Sequence, residues 1–338
     1  MKKLKLFVLL LLGVNILFSC GKPTNPEEVI PPDISGGYKI VTKYVTSGYA
    51  QDVLKKDNLL YLAQGEGGLE IVDVSDPENP ETVSTTSEGA RGYSTKVAIK
   101  DSAVYLAAGS FGVTTFNASD PSAPEIPGSN SSEKPAKGLH IMGDYLFVAV
   151  SEQGVKITNI SIPVYPDPKG DVKTPGFAYG LTTSSDSAYM FVACGEMGIY
   201  IFDISVFDQG YPIYHQVAWC NTPGKAEAVT ILEEESIAFM ACGTSGLQII
   251  NYADTNNVHI VGSLDAGGYA KDLIYKDQRI YQTAEMAGLQ IIDVSDFTNP
   301  QLIGVVDTEF ALGLDIDDDF VYVADEDEGL IIISIPLY

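Results

Sequence analysis

GLQIIDVS, Gly288 to Ser295, is the phrase on which the reading of this chain turns. Six variants of it occur: GLEIVDVS from Gly68, GVTTFNAS from Gly112, GVKITNIS from Gly154, GIYIFDIS from Gly198, GLQIINYA from Gly246 and GLIIISIP from Gly329. The leading glycines stand 44, 42, 44, 48, 42 and 41 residues apart. A period of about 40–50 residues, each unit rich in short strand text, is that of a propeller blade. One blade cannot bury both of its faces alone. The unbroken series therefore predicts one closed body over 38–338, although the length would allow two domains.

Within the second unit, Val97-Ala98-Ile99 leads through Asp101-Ser102 to Val104–Ala107. A turn at Gly109–Gly112 precedes Val113–Phe116, and Ser119-Asp120-Pro121 opens a looser fourth segment. Each strand is a run of β-branched and aromatic residues bounded by Gly, Asp, Ser or Pro. Four such strands, a to d from the axis outward, make a blade. The turns between b and c all end in glycine, as a tight hairpin with φ > 0 requires. No helix follows these turns, which excludes a phosphate loop. The Asp or Asn late in strand c (Asp73, Asn117, Asn159, Asp203, Asn251, Asp293) becomes Ser334 in the last copy. Amides and hydroxyls replace a carboxylate in a turn, but not in acid–base work.

The seventh repeat carries no strand d before Tyr338, and an orphan strand text, Tyr38 to Val45, precedes the first repeat. The fold expected is all-β: a single seven-bladed β-propeller whose N-terminal strand closes the last blade, with Ile40 beside Ile332. Closure removes an exposed sheet edge.

IVDVS and IIDVS, each preceded by glycine and leucine or a near variant, resemble the LVIVD repeat of bacterial and archaeal envelope proteins. The likeness spans nearly the whole body, is strongest in blades one and six, and is weakest in blades two and three. It implies a surface-associated propeller, often lipid-anchored, with no established activity. Only Trp219 is present, unlike the Trp-Asp-repeat propellers.

Residues 1–19 read as a lipoprotein signal peptide, with Lys2, Lys3 and Lys5 before an apolar run from Leu6 to Leu12 that continues to Phe18. Leu17-Phe18-Ser19-Cys20 resembles the lipobox of bacterial lipoproteins, which implies acylation of Cys20. Gly21 stands where that family carries its inner-membrane retention aspartate, so the resemblance implies the outer membrane; surface-exposed and periplasm-facing attachment both remain open. Residues 20–37, the acylated cysteine followed by a stretch with four prolines and three glycines, read as a flexible tether.

The chain has 45 acids and 20 bases; without the three lysines of the signal, 17 bases face 45 acids, a formal −28. Such a surface repels phosphate backbones, so no nucleic acid partner is expected, and membrane contact is through the lipid anchor only. Besides Cys20 there are Cys194, Cys220 and Cys242. Cys194 and Cys242 occupy equivalent places in successive repeats and read as small buried hydrophobes, with no disulfide framework and no metal spacing.

The text between d and the next a recurs as GYAQDV, GYSTKV, PAKGL, GFAYGL, GKAEAV, GYAKDL and EFALGL. Strand a lies nearest the axis, so these residues should ring one mouth of the channel. The aromatic place holds Tyr49, Tyr93, Phe177, Tyr269 and Phe310, with Lys225, and Pro135 or Ala136, in the other two. It reads first as a plug between blades. Two places on come Gln51, Thr95, Lys137, Tyr179, Glu227, Lys271 and Leu312, a variable set on a fixed scaffold. The candidate ligand-binding residues are thus Tyr49, Gln51, Tyr93, Lys137, Phe177, Tyr179, Lys225, Glu227, Tyr269, Lys271 and Phe310. Asp315 to Asp319 and Asp325 to Glu328 lie at opposite ends of one strand and read as solvated turns. His140 falls in a strand a, and His215 and His259 in outer strands of other blades, so no catalytic triad is expected. No cofactor, metal or catalytic residue is expected. The function expected is that of a monomeric cell-envelope lipoprotein, a protein- or glycan-binding, scaffolding or adhesion-type propeller. The alternative is an envelope hydrolase or lyase working at the channel mouth, with Asp52, Asp272 and Asp315 near strand a.

Overall fold

Leu59–Ala63, LLYLA, shows why this text makes a blade: four of its five residues are buried, because both faces of the strand lie against other sheets. The computed structural model describes residues 34–87, 92–130, 133–208 and 211–337. The signal segment, Cys20 and the tether to Asp33 lie outside the described residues. The described strands form seven four-stranded antiparallel sheets, six of them built from strands consecutive in the chain. In the seventh, Ala311–Ile316, Phe320–Asp325 and Gly329–Ser334 are completed by Lys39–Tyr44. The N-terminal strand closes the last blade.

The latch is one residue out of the expected register. Ile40 pairs with Ile333, and Thr42 with Ile332, across an irregularity at Val41. The same shift between strands c and d recurs in the other six blades. An extra residue there bends and twists the outer strand. Tyr38 is buried, and its hydroxyl lies 3.0 Å from that of Tyr281 in blade six. The Val305 amide donates to the Ile34 carbonyl at 2.8 Å. Residues 34–37, read from the sequence as the end of the tether, are therefore held against blade six.

Seven apolar clusters sit between the blades, one at each of the seven interfaces. Leu60 and Leu62 of blade one pack with Tyr322, Leu330 and Ile332 of blade seven, which closes the ring. Each fully buried side chain of this size contributes about 1.5–3 kcal/mol, so a blade gains most of its stability from its neighbours.

The repeated turn residues have the expected conformations. The seven glycines opening strand c have φ between 64° and 88°. Asp73 accepts from the Ser75 amide at 2.7 Å and Asp293 from that of Ser295 at 2.8 Å, and the asparagines of blades two, three and five do the same two residues on. Ser334, in the last copy, donates instead to the Lys39 carbonyl at 3.3 Å. Cys194, Cys220 and Cys242 are free thiols, the first and last buried.

Blade four departs from the others. Its outer strands, Ile199–Asp208 and Tyr211–Cys220, have ten residues each, where the outer strands of the other blades have five or six. The Asp203 turn forms, yet the strand resumes beyond it, with Val206 opposite Ile213. The 48-residue step is this extension.

Candidate functional site

The start of every strand a and every b–c turn lie at the same end of the ring. Six of these turns are tied to the next blade by a backbone bridge, Gly65 with Ser94, Gly109 with Ala136, Ser151 with Ala178, Gly195 with Ala226, Gly243 with Ala270 and Glu285 with Ala311, with hydrogen bonds in both directions in all but the Gly109 pair. The residue contributed by the second blade is buried in each. A small side chain is needed because the preceding turn lies directly against it, and this explains the alanine in the recurring Gly-aromatic-Ala text. It also decides blade three, where Ala136 takes the bridging place and Pro135 the aromatic one.

The aromatic side chains point outward from that bridge. Tyr93 lies over the Gly65 turn of the preceding blade, where a Cβ would come within 2.9 Å of its ring, and Tyr269 lies over Gly243 in the same way. They are inter-blade covers with one face left open. Tyr49, Phe177 and Tyr93 are 57%, 50% and 37% exposed, and Tyr269 and Phe310 are half-buried. Phe111, Met197 and Met286, from the b–c turns of blades two, four and six, are exposed on the same rim.

Two places further on, the chain enters the channel. Gln51, Thr95, Lys137, Tyr179, Glu227, Lys271 and Leu312 all line a cavity of about 420 Å³, joined by Lys225. The next tier is uneven. Blades one, two and six present Asp52, Lys96 and Asp272, whereas blades three, four and five present Gly138, Gly180 and Ala228. Of the eleven sequence candidates, Gln51, Lys137, Tyr179, Lys225, Glu227 and Lys271 come together in the cavity; Tyr49, Tyr93, Phe177, Tyr269 and Phe310 stand around it on the rim.

Glu227 organises one side of the mouth. Its carboxylate is bound by Lys225 at 2.6 Å, by Lys271 at 3.2 Å and by the Tyr269 hydroxyl at 2.8 Å. Burial alone would raise its pKa; Lys271, Lys225 and Tyr269 outweigh burial and hold it below the usual carboxylate range. The Lys225 ammonium also lies 3.8 Å from the centre of the Tyr179 ring, a cation–π contact.

Lys96 organises the other side. It pairs with Asp52 at 3.1 Å and with Asp272. Burial, with Asp272 adding to it, pushes Asp52 up to about 6 against the pull of Lys96 and the Val97 amide. The two carboxylates in turn hold the Lys96 ammonium well above its ordinary pKa, although burial opposes them. Asp52 and Asp272 were expected near the channel from the sequence, but Lys96 and its pairing with both were not, because the three come from blades one, two and six and only the closed ring brings them together.

The three histidines stay apart. His140 Nε2 is 2.9 Å from the Thr183 hydroxyl, with its pKa lowered to about 4 by burial. His215 and His259 lie in the outer strands of blades four and five. Asp315 lines the channel, but one of its oxygens accepts the Lys55 amide at 2.6 Å. Asp317 caps its own turn through the Asp319 and Phe320 amides. Among the described residues no His, Cys, Asp or Glu group is arranged to hold a metal ion.

The sequence model of the LVIVD repeat matches residues 47–86, 135–174, 267–308 and 311–335. These fall in blades one, three, six and seven, so blade three, where the repeat text is among the weakest, is matched as well. No curated protein matches the chain. Among solved structures, a computationally designed protein, Ika8, is similar with a TM-score of 0.64 at 10% identity, over 88% of this chain and 100% of its own. A chain of the mitotic checkpoint complex is similar with a TM-score of 0.65 at 14% identity, over 88% of this chain and 93% of its own. At these identities the likeness is one of fold alone. The chain is a seven-bladed β-propeller that carries LVIVD repeats in four of its blades.

Proposed function

We propose that this propeller is a cell-envelope lipoprotein, anchored through Cys20 at the outer membrane, that binds or scaffolds a protein or glycan partner at its channel mouth. The observation that carries the binding reading is the contrast at that mouth. A backbone bridge repeated at six blade junctions accompanies a varied set of seven side chains at the mouth, and exposed aromatics surround them. Fixed scaffold and variable display are the features of a recognition surface. The lipobox-like Leu17–Cys20 text supports the anchor.

A hydrolase or lyase is the second reading, and the raised pKa of Asp52 favours it. Against it, both Asp52 oxygens are engaged, one by Lys96 and one by the Val97 amide at 2.9 Å. Incorporation of labelled palmitate that is lost in Cys20→Ser tests the anchor. Replacing Lys137, Tyr179, Glu227 and Lys271 together by alanine tests the surface: a partner retained from native envelope by the wild type should be lost, and unchanged retention removes the mouth as the site.

A further inference from the structure

We infer that the channel mouth holds a small organic carboxylate, bound by the ammonium groups of Lys137, Lys225 and Lys271. The inference rests on reading the mouth as a binding site and names the chemistry it takes.

Charge is sorted by depth in this channel. Three of the fourteen lysines between Lys39 and Lys276 stand at the mouth of a strongly acidic protein. Glu227 is the one carboxylate lining that tier, and it is shared by Lys225 and Lys271. Lys137 is exposed to the cavity and pairs with no described carboxylate. Three ammoniums face one carboxylate in that tier; Glu285, on a b–c turn at the rim, also interacts with Lys271 and Lys225, which leaves Lys137 as the ammonium with no described carboxylate partner. One tier down, Lys96 already answers Asp52 and Asp272. Within the cavity a cation therefore finds these carboxylates occupied, whereas an anion finds the Lys137 ammonium unmatched.

Glu227 shows what geometry the donors accept. Two ammoniums and a phenol converge on one carboxylate, each as a charge-assisted or strong donor. Beneath Lys137, Tyr179 and Glu227 the wall is Gly138, Gly180 and Ala228, almost bare backbone, whereas Asp52, Lys96 and Asp272 fill the other side. The Tyr179 ring supplies a flat apolar wall beside Lys225. A cavity of about 420 Å³ lies within the range of small-molecule sites, about 300–1,000 Å³. A phosphate polymer is disfavoured, because its many charges would meet the acidic surface around the mouth.

The test is calorimetric titration of the purified full chain with succinate at low salt, with neutral succinamide and inorganic phosphate as the other arms. Saturable binding of one succinate per chain is expected, weakened by added salt. Lys137→Gln and Lys271→Gln should each weaken it about tenfold, the scale of one lost charged hydrogen bond, and Lys39→Gln on the outer strand should leave it unchanged. The inference is overturned if succinate behaves as succinamide does, if Lys137→Gln binds as the wild type does, or if phosphate binds as tightly as succinate. Lys137 makes no ion pair among the described residues, so its variant remains informative should Lys271→Gln misfold. Loss of partner capture with intact succinate binding would remove the reading of the mouth as a partner surface alone; the converse would remove this inference alone.

Discussion

Lys96 reaches carboxylates of two other blades, and Glu133 holds a buried carboxyl that makes no ion pair among the described residues. These two side chains make the strongest residue-scale predictions. Removing the ammonium leaves Asp52 and Asp272 facing each other in a partly buried space. Lys96→Met should therefore destabilise the fold by about 3 kcal/mol, the scale of a broken buried pair. Adding Asp272→Asn should recover much of that loss, and chemical denaturation reads both. Glu133 is almost fully buried; one oxygen accepts from the Thr158 hydroxyl and the other has no partner. Burial pushes its pKa up to about 8, with Lys156 opposing. A carboxyl that holds its proton more tightly in the fold stabilises at low pH, and that stabilisation is lost as pH rises from its unfolded value, near 4.5, through about 8. Glu133→Gln should therefore gain on the wild type in stability as pH rises from about 5 to 8, with the difference levelling above that. A constant difference across this range would show that Glu133 does not titrate there. Residue roles were legible where the chemistry is local, as in the Asp73 and Asn117 turns and the φ-positive glycines. The pairing of Lys96 with Asp272 was not, because 176 residues separate them and only ring closure makes them neighbours.

At the scale of the element, the N-terminal strand is the piece whose role is most exposed to test. Lys39–Tyr44 contributes six residues to blade seven, and the segment before it anchors to blade six through Ile34 and Tyr38. A chain starting at Thr46 loses both. Tyr38 alone is a buried aromatic whose removal costs about 3–5 kcal/mol, so the truncated chain should lose more than about 3 kcal/mol in denaturant unfolding. A synthetic peptide covering 34–45 should restore part of it. Strand placement was readable because apolar four- and five-residue runs alternate with Gly and Asp turns at constant spacing. Two features of the elements were not. Nothing in the text of Ile34–Gly37 distinguishes a docked segment from the tether before it, since the docking is through backbone groups and glycines. Blade four's long hairpin follows an Asp-x-Ser turn like those that end strand c elsewhere, and only the 48-residue step hinted at extra chain.

For the whole molecule, closure is what brings residues of seven repeats together at the candidate site. Each blade supplies one or two residues to the mouth, and none is a site alone. The ring was legible from the seven glycine-led phrases together with a strand missing at one terminus and spare at the other. The charge pattern of the channel was not, because residues adjacent around the axis lie about forty residues apart in the chain. The opposite face carries the a–b and c–d turns, including exposed Ile162 and Tyr165. Use of one face over the other is the central functional claim, and a photo-crosslinking amino acid placed singly at Tyr49, Tyr93 or Phe177, and at Ile162 or Tyr165, tests it directly in intact cells. The account predicts a discrete adduct from the three mouth positions and none from the other two; adducts from Ile162 or Tyr165 alone would contradict it.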